Sequence, residues 1–121
     1  MSESSKINQN FDLESRTLKF AKDVRELVKL IPKTLSNFED SKQVVRSSGS
    51  VAANYIEANE SLGKKDFLMR VKICRKEAKE SILWLTLLQT NEKSEPLRNR
   101  LLQESSELMK IFGSIITKCS Q

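Results

Sequence analysis

The chain contains no histidine, and this absence removes more chemistry than any other feature of its 121 residues. Without imidazole it has no usual general base near neutral pH, no usual metal ligand, and no Ser-His or Cys-His nucleophile pair. A di-iron bundle needs Glu-x-x-His pairs on two helices, so that class is excluded too. Cysteine is scarce: Cys74 and Cys119 stand far apart, without CxxC or metal-ligand spacing, and are expected as reduced thiols. Three glycines and two prolines are too few for a turn-rich β fold, and no glycine-rich phosphate loop of the Walker or dinucleotide type is present. No apolar run approaches the roughly 20 residues that span a bilayer. The opening Met1-Ser2-Glu3-Ser4-Ser5-Lys6 lacks the apolar segment of a signal peptide, so a cytoplasmic protein without membrane contact is expected. These absences point to a non-catalytic chain with no cofactor and no metal.

The residues that are present favour long soluble helices. Hydrophobic side chains make up 38% of the chain and charged ones 31%, enough for a single core in one all-α domain. Residues 1–10 are polar and are expected to form a disordered tail, with the bundle domain over 11–121. From Asp12, a candidate cap, the apolar residues Leu13, Leu18, Ala21, Val24, Leu27, Val28 and Ile31 trace one helical face that ends near Pro32. Ser36-Asn37-Phe38-Glu39 reads as a capping box opening a second helix. Its face is Val44, Ser48, Val51, Tyr55, Ala58 and Leu62, with Gly63 as its stop. Gly49, costly inside a helix, implies a closely approaching neighbouring backbone. A third helix is expected from about Lys64 to Thr90, with Phe67, Val71, Cys74, Ala78, Ile82, Leu85 and Leu88 inward and Cys74 a small core hydrophobe. Ser94-Glu95-Pro96 then reads as the start of a fourth, running through Leu97, Leu101, Leu102, Leu108, Ile111, Phe112, Ile115 and Ile116. Short connections make an antiparallel up-down-up-down four-helix bundle the simplest architecture.

Several segments, in order, carry a family resemblance. They are Phe20-Ala21, Leu30-Ile31-Pro32-Lys33-Thr34, Gln43 with Arg46-Ser47, and the small-residue run Ser50-Val51-x-Ala53-Asn54-Tyr55-x-Glu57-Ala58. Asp66-Phe67, Lys76-Glu77-Ala78-x-Glu80-Ser81 and Trp84-Leu85 complete the pattern. Over roughly residues 13–92 the chain resembles the four-helix-bundle proteins encoded in intervening sequences of bacterial 23S ribosomal RNA genes. The resemblance implies a bundle assembling into a ring-like homopentamer. It also implies kinship with the accessory proteins of diversity-generating retroelements, basic pentamers that associate with nucleic acid and a reverse transcriptase. It brings no catalytic residues.

Three groups of residues are candidates for function. Lys65, Lys72, Arg75, Lys76 and Lys79 form a basic face of the third helix, and the segment 62–79 accounts for the whole excess charge of +5. Such an aromatic-free face would meet the phosphates of RNA or DNA rather than read bases, or else would only keep the protein soluble. Met69, Ile73, Glu77, Glu80, Trp84 and Leu87 form a second stripe that suits a subunit or protein-partner interface, unless Trp84 merely closes the core edge. Ser50, Asn54 and Glu57, at the boundary of the second helix's apolar face, read as a structural polar network, with a ligand contact as the alternative.

Overall fold

The computed structural model describes the backbone from Ser2 to Ser120 and the side chains from Leu13 to Ser120. Its elements are α1 (Ser2–Leu30), α2 (Leu35–Asn59), α3 (Lys64–Leu87) and α4 (Glu95–Cys119). The expected tail over residues 1–10 and the cap at Asp12 fall outside the described side chains. Each helix packs on its sequence neighbour and α4 returns to α1, which closes an up-down-up-down four-helix bundle of the expected all-α class. The α2–α3 seam is the most extensive and the α1–α4 seam the least.

Boundaries follow local chemistry. α1 stops two residues before Pro32, whose ring disfavours helical geometry at Ile31. The expected capping box at Ser36 is displaced: Thr34, extended at φ −123°, accepts from the Asn37 amide at 3.1 Å and starts α2 at Leu35. The chain leaving Pro32 is already extended at Thr34, so the earlier hydroxyl takes the free amide. Gly63 does not stop α2, which ends at Asn59; it is the extended N-cap of α3, at φ −147°. Leu62 lies in that loop, fully exposed, rather than on the α2 core face. α3 ends at Leu87, short of Thr90, because Leu88 turns extended while its side chain stays buried. At the start of α4, Ser94 and Asn91 exchange hydrogen bonds, Ser94 N to Asn91 Oδ1 and Asn91 N to Ser94 Oγ, each 2.9 Å.

The core contains Phe20, Val24 and Leu27 of α1, Val44 and Val51 of α2, Val71, Cys74, Ala78 and Leu85 of α3, and Leu101, Leu108 and Phe112 of α4. Leu18 is 55% exposed, contrary to the α1 pattern, because Thr17 and Phe20 turn inward in its place. Thr17 tolerates burial by donating to the Glu14 carbonyl at 3.0 Å. Serines line both seams of α3: Ser47 Oγ of α2 meets Ser81 Oγ at 2.7 Å, and Ser105 of α4 donates to the Ala78 carbonyl at 2.7 Å. Beside Gly49 the close neighbour is a side chain and not a backbone, since an added Cβ would meet Arg25 Nη2 at 3.4 Å.

One buried polar residue ties the end of the bundle where α1 and α3 finish and α2 and α4 begin. Asn37, 2% exposed, donates to the Pro32 carbonyl at 2.8 Å and the Gln89 carbonyl at 2.9 Å, and accepts from the Gln89 amide at 2.9 Å. Asn91 donates to the Leu30 carbonyl at the same end, and Arg98 to the carbonyls of Leu85 and Leu88. These bonds fix the order in which α3 is flanked by α2 and α4, with one long face turned outward.

Candidate nucleic-acid interface

The outward face of α3 carries the cations. At about 100° per residue, Lys65, Lys72, Lys76 and Lys79 lie roughly opposite the buried Val71, Cys74, Ala78 and Leu85, and Arg75 lies about 60° from Lys72 on the side nearer α4. All five are exposed. Lys72, Arg75, Lys76 and Lys79 surround a shallow hollow of about 530 Å³, closed on the α4 side by Met109. The stem of Arg75 lies over Gly113, with Cδ 4.0 Å from where a Cβ would stand. A second hollow shares Lys72 and Lys76, adds Lys65, and has an apolar floor of Leu68, Met69 and Ile73.

Most of these cations lie beyond ion-pair reach of a carboxylate, a state they share with Lys22, Lys33, Lys64, Lys93, Lys110 and Lys118 among the described residues. Lys19, Lys29, Lys42, Arg16, Arg46 and Arg100 each lie within 4.0 Å of an acidic side chain. On the α3 face only Lys76 does, at 3.9 Å from Glu77; Lys65, Lys72, Arg75 and Lys79 have none among the described residues. Aromatic rings are absent from the face. Phe67 and Trp84 are half-buried against the core, and exposed Phe38 sits on α2 beneath Lys42, 4.5 Å from its ring centroid.

The second stripe divides on inspection. Met69 and Leu87 are 46% and 50% exposed, Ile73 is half-buried, and Leu83, which the sequence pattern omitted, joins them at 50%. Glu77 instead turns into the α2–α3 seam and is buried, its carboxylate 3.0 Å from Arg46 Nη1. Glu80 accepts from Arg46 Nη2 at 2.5 Å and from the Trp84 indole at 3.2 Å. Burial alone would lower the Arg46 guanidinium, but its bonds to Glu77 and the pull of both carboxylates outweigh that and raise it. Arg46 thus bridges α2 to α3; its place beside Ser47 in the resemblance was the available signal.

Ser50 and Asn54 do come together: Asn54 Nδ2 donates to the Ser50 carbonyl at 2.9 Å and to its hydroxyl at 3.0 Å. The third member is Arg70 of α3, donating to Asn54 Oδ1 at 3.0 Å, while Glu57 stays exposed outside the network. Cys74 is fully buried and donates to the Val51 carbonyl at 3.5 Å; burial pushes its thiol up to about 12. Among the described residues no three His, Cys, Asp or Glu side chains are grouped to hold a metal, and no helix is long and apolar enough to cross a membrane.

Comparison with known proteins places this geometry. Residues 9–114 match the model of the 23S rRNA-intervening sequence protein family. The fold is similar to the 1.70 Å crystal structure of a protein with unknown function from the S23 ribosomal protein family of Bacteroides thetaiotaomicron. The two share 32% identity at a TM-score of 0.71, covering 86% of this chain and 97% of the other. The search of curated proteins gives no match.

Proposed function

The chain belongs to the 23S rRNA-intervening sequence protein family, and we propose that it serves as a non-catalytic, homo-oligomeric module that holds nucleic acid through α3. The observation that carries this reading is the concentration of exposed cations on one helix face, Lys65, Lys72, Arg75, Lys76 and Lys79, of which only Lys76 has a carboxylate within 4.0 Å among the described residues. Unmatched charge on one straight face concentrates positive potential there and favours a polyanion. Lysines on a face without aromatic rings bind phosphates and discriminate little between bases. The missing histidine argues against a catalytic role.

Self-association is favoured by a separate observation, the exposed apolar residues Met69, Leu83 and Leu87 on the same helix. Repeating a weak phosphate site around a ring would raise avidity. The number five comes from the family resemblance alone. A protein scaffold that uses this stripe without nucleic acid is the second reading.

Charge reversal of Lys65, Lys72, Lys76 and Lys79 to Glu tests the choice by fluorescence anisotropy over a salt series. With about four phosphate contacts, the wild type is expected to show a log-log salt slope of about −3 to −4. The variant is expected to bind at least about tenfold more weakly and to lose most of that slope, with helicity and mass unchanged. A wild type that binds no probe at low salt leaves the scaffold reading in its place.

A further inference from the structure

Resting on that phosphate-binding reading, we infer that Lys72, Arg75, Lys76 and Lys79 form a site for a compact, multiply charged phosphate group, a terminal phosphate or short phosphate chain, and not for a run of phosphodiester backbone. The four residues stand at i, i+3, i+4 and i+7, the corners of one cell of the helix-surface lattice, whose neighbours lie about 5–6 Å apart. No other such cell on the described helices carries a cation at every corner. Lys72 and Lys79 stand about 10 Å apart along the axis. Arg75 and Lys76, about 100° apart on a helix about 11 Å across, stand about 8 Å apart across it. The cluster is therefore nearly as wide as it is long, and all four side chains line one hollow of about 530 Å³ that Met109 of α4 closes.

Two features point to a ligand here. The cations repel one another along every edge of the cell, and the protein offers little relief: Glu77, 3.9 Å from Lys76, is already held 3.0 Å from Arg46. A face built for solvent alone alternates its charges. Second, Arg16, Arg25, Arg46, Arg70, Arg98 and Arg100 each donate to an oxygen of the protein, whereas Arg75 donates to none among the described residues. Its stem lies over Gly113, which leaves the fork at the α4 edge of the hollow with its N–H groups unspent. Such a fork pairs bidentately with phosphate, and the lysines add point charges around it. A strand running along α3 follows the line of Lys65, Lys72 and Lys79 and leaves Arg75 and Lys76 to its two sides. A phosphate group seated in the hollow lies among all four cations, and a terminal phosphate brings about −1.5 to −2 of charge to one point where a diester brings one.

The test uses the intact protein and a strand of about 12 nucleotides bearing a 5′-hydroxyl or a 5′-triphosphate, followed by fluorescence anisotropy, with inorganic tripolyphosphate titrated separately by calorimetry. At about 0.1 M salt, two further contacts at the strand end are expected to raise affinity about 25-fold for the triphosphate strand over the hydroxyl strand. Arg75→Gln, which keeps the stem over Gly113, is expected to cut that ratio to about fivefold or less. Lys65→Gln, outside the cell, is expected to weaken both strands alike and leave the ratio unchanged. Tripolyphosphate that binds as tightly as the triphosphate strand assigns the site to free phosphate chains, and weaker tripolyphosphate binding assigns it to strand ends. Equal affinity for the two strands, or a ratio that Arg75→Gln leaves unchanged, overturns the compact site and leaves backbone binding standing. Tripolyphosphate bound while neither strand binds at low salt keeps the site and removes the nucleic-acid reading. Absence of binding by every probe at low salt overturns both.

Discussion

Replacing Asn37 by alanine isolates the contribution of one buried side chain to the closure of the bundle. The amide makes three hydrogen bonds, to the carbonyls of Pro32 and Gln89 and from the amide of Gln89, and is itself 2% exposed. Each such bond contributes about 1 kcal/mol net, and a partner left buried and unpaired costs about 1–3 kcal/mol. Gln89 is exposed, so water can rehydrate its backbone groups and hold the loss toward the low end. The expected destabilisation is about 2–3 kcal/mol. Unfolding entropy scales to about 0.25 kcal/mol per kelvin for 121 residues, which converts that loss to a fall in Tm of about 8–12 °C. Thermal and urea unfolding followed by circular dichroism, at one fixed protein concentration, measure it. Asn37→Asp sharpens the test. It keeps the acceptor for Gln89 N but turns its second oxygen against two carbonyl oxygens, which would raise its pKa in the folded state. Protonation restores a donor, so this variant is expected to fall below Asn37→Ala at pH 7 and to recover as pH drops toward about 4. A loss under about 0.5 kcal/mol for Asn37→Ala, or an aspartate variant indifferent to pH, refutes the clamp.

Leu83→Glu with Leu87→Glu places charge on side chains that are half exposed and outside the core, so light scattering is expected to show smaller species at unchanged helicity. Trp84→Glu should also dissociate the assembly, but with lower stability, because its ring packs against the core and its indole bonds Glu80. An unchanged mass in both variants counts against α3 as the interface. At pH 8 only Cys119 is expected to alkylate under native conditions, Cys74 following on denaturation; equal labelling of both contradicts the burial of Cys74. Because its folded pKa is raised, Cys74 contributes stability that is complete below the unfolded value of about 8.5 and lost as pH rises toward about 12. Cys74→Ala should flatten that alkaline decline.

Periodicity made the helices legible because burial of one face imposes a repeat near 3.6 on apolar residues, whatever those residues touch. Val71, Cys74, Ala78 and Leu85 could thus be assigned inward from spacing alone, and the structure buries all four. The exposed cations of α3 followed from the same repeat read on its other side. Caps were less legible, since Thr34 and Ser36 both offer a hydroxyl and only the extended path after Pro32 selects the first. Gly63 was ambiguous for a similar reason: an extended φ suits a helix start as well as any loop position.

Residue types and their order by themselves determined four amphipathic helices, the inward stripes and the lack of imidazole chemistry, because these depend on local backbone geometry and side-chain composition. Tertiary structure alone decided which polar groups meet. Glu77 turned from an outward stripe into the α2–α3 seam because Arg46 of another helix was there to pair with it, and Asn54 found Arg70 instead of Glu57. It also decided that the carboxylates which match basic residues elsewhere do not reach Lys65, Lys72, Arg75 and Lys79. A charge's partner is set by the packing of distant helices, which no periodicity encodes.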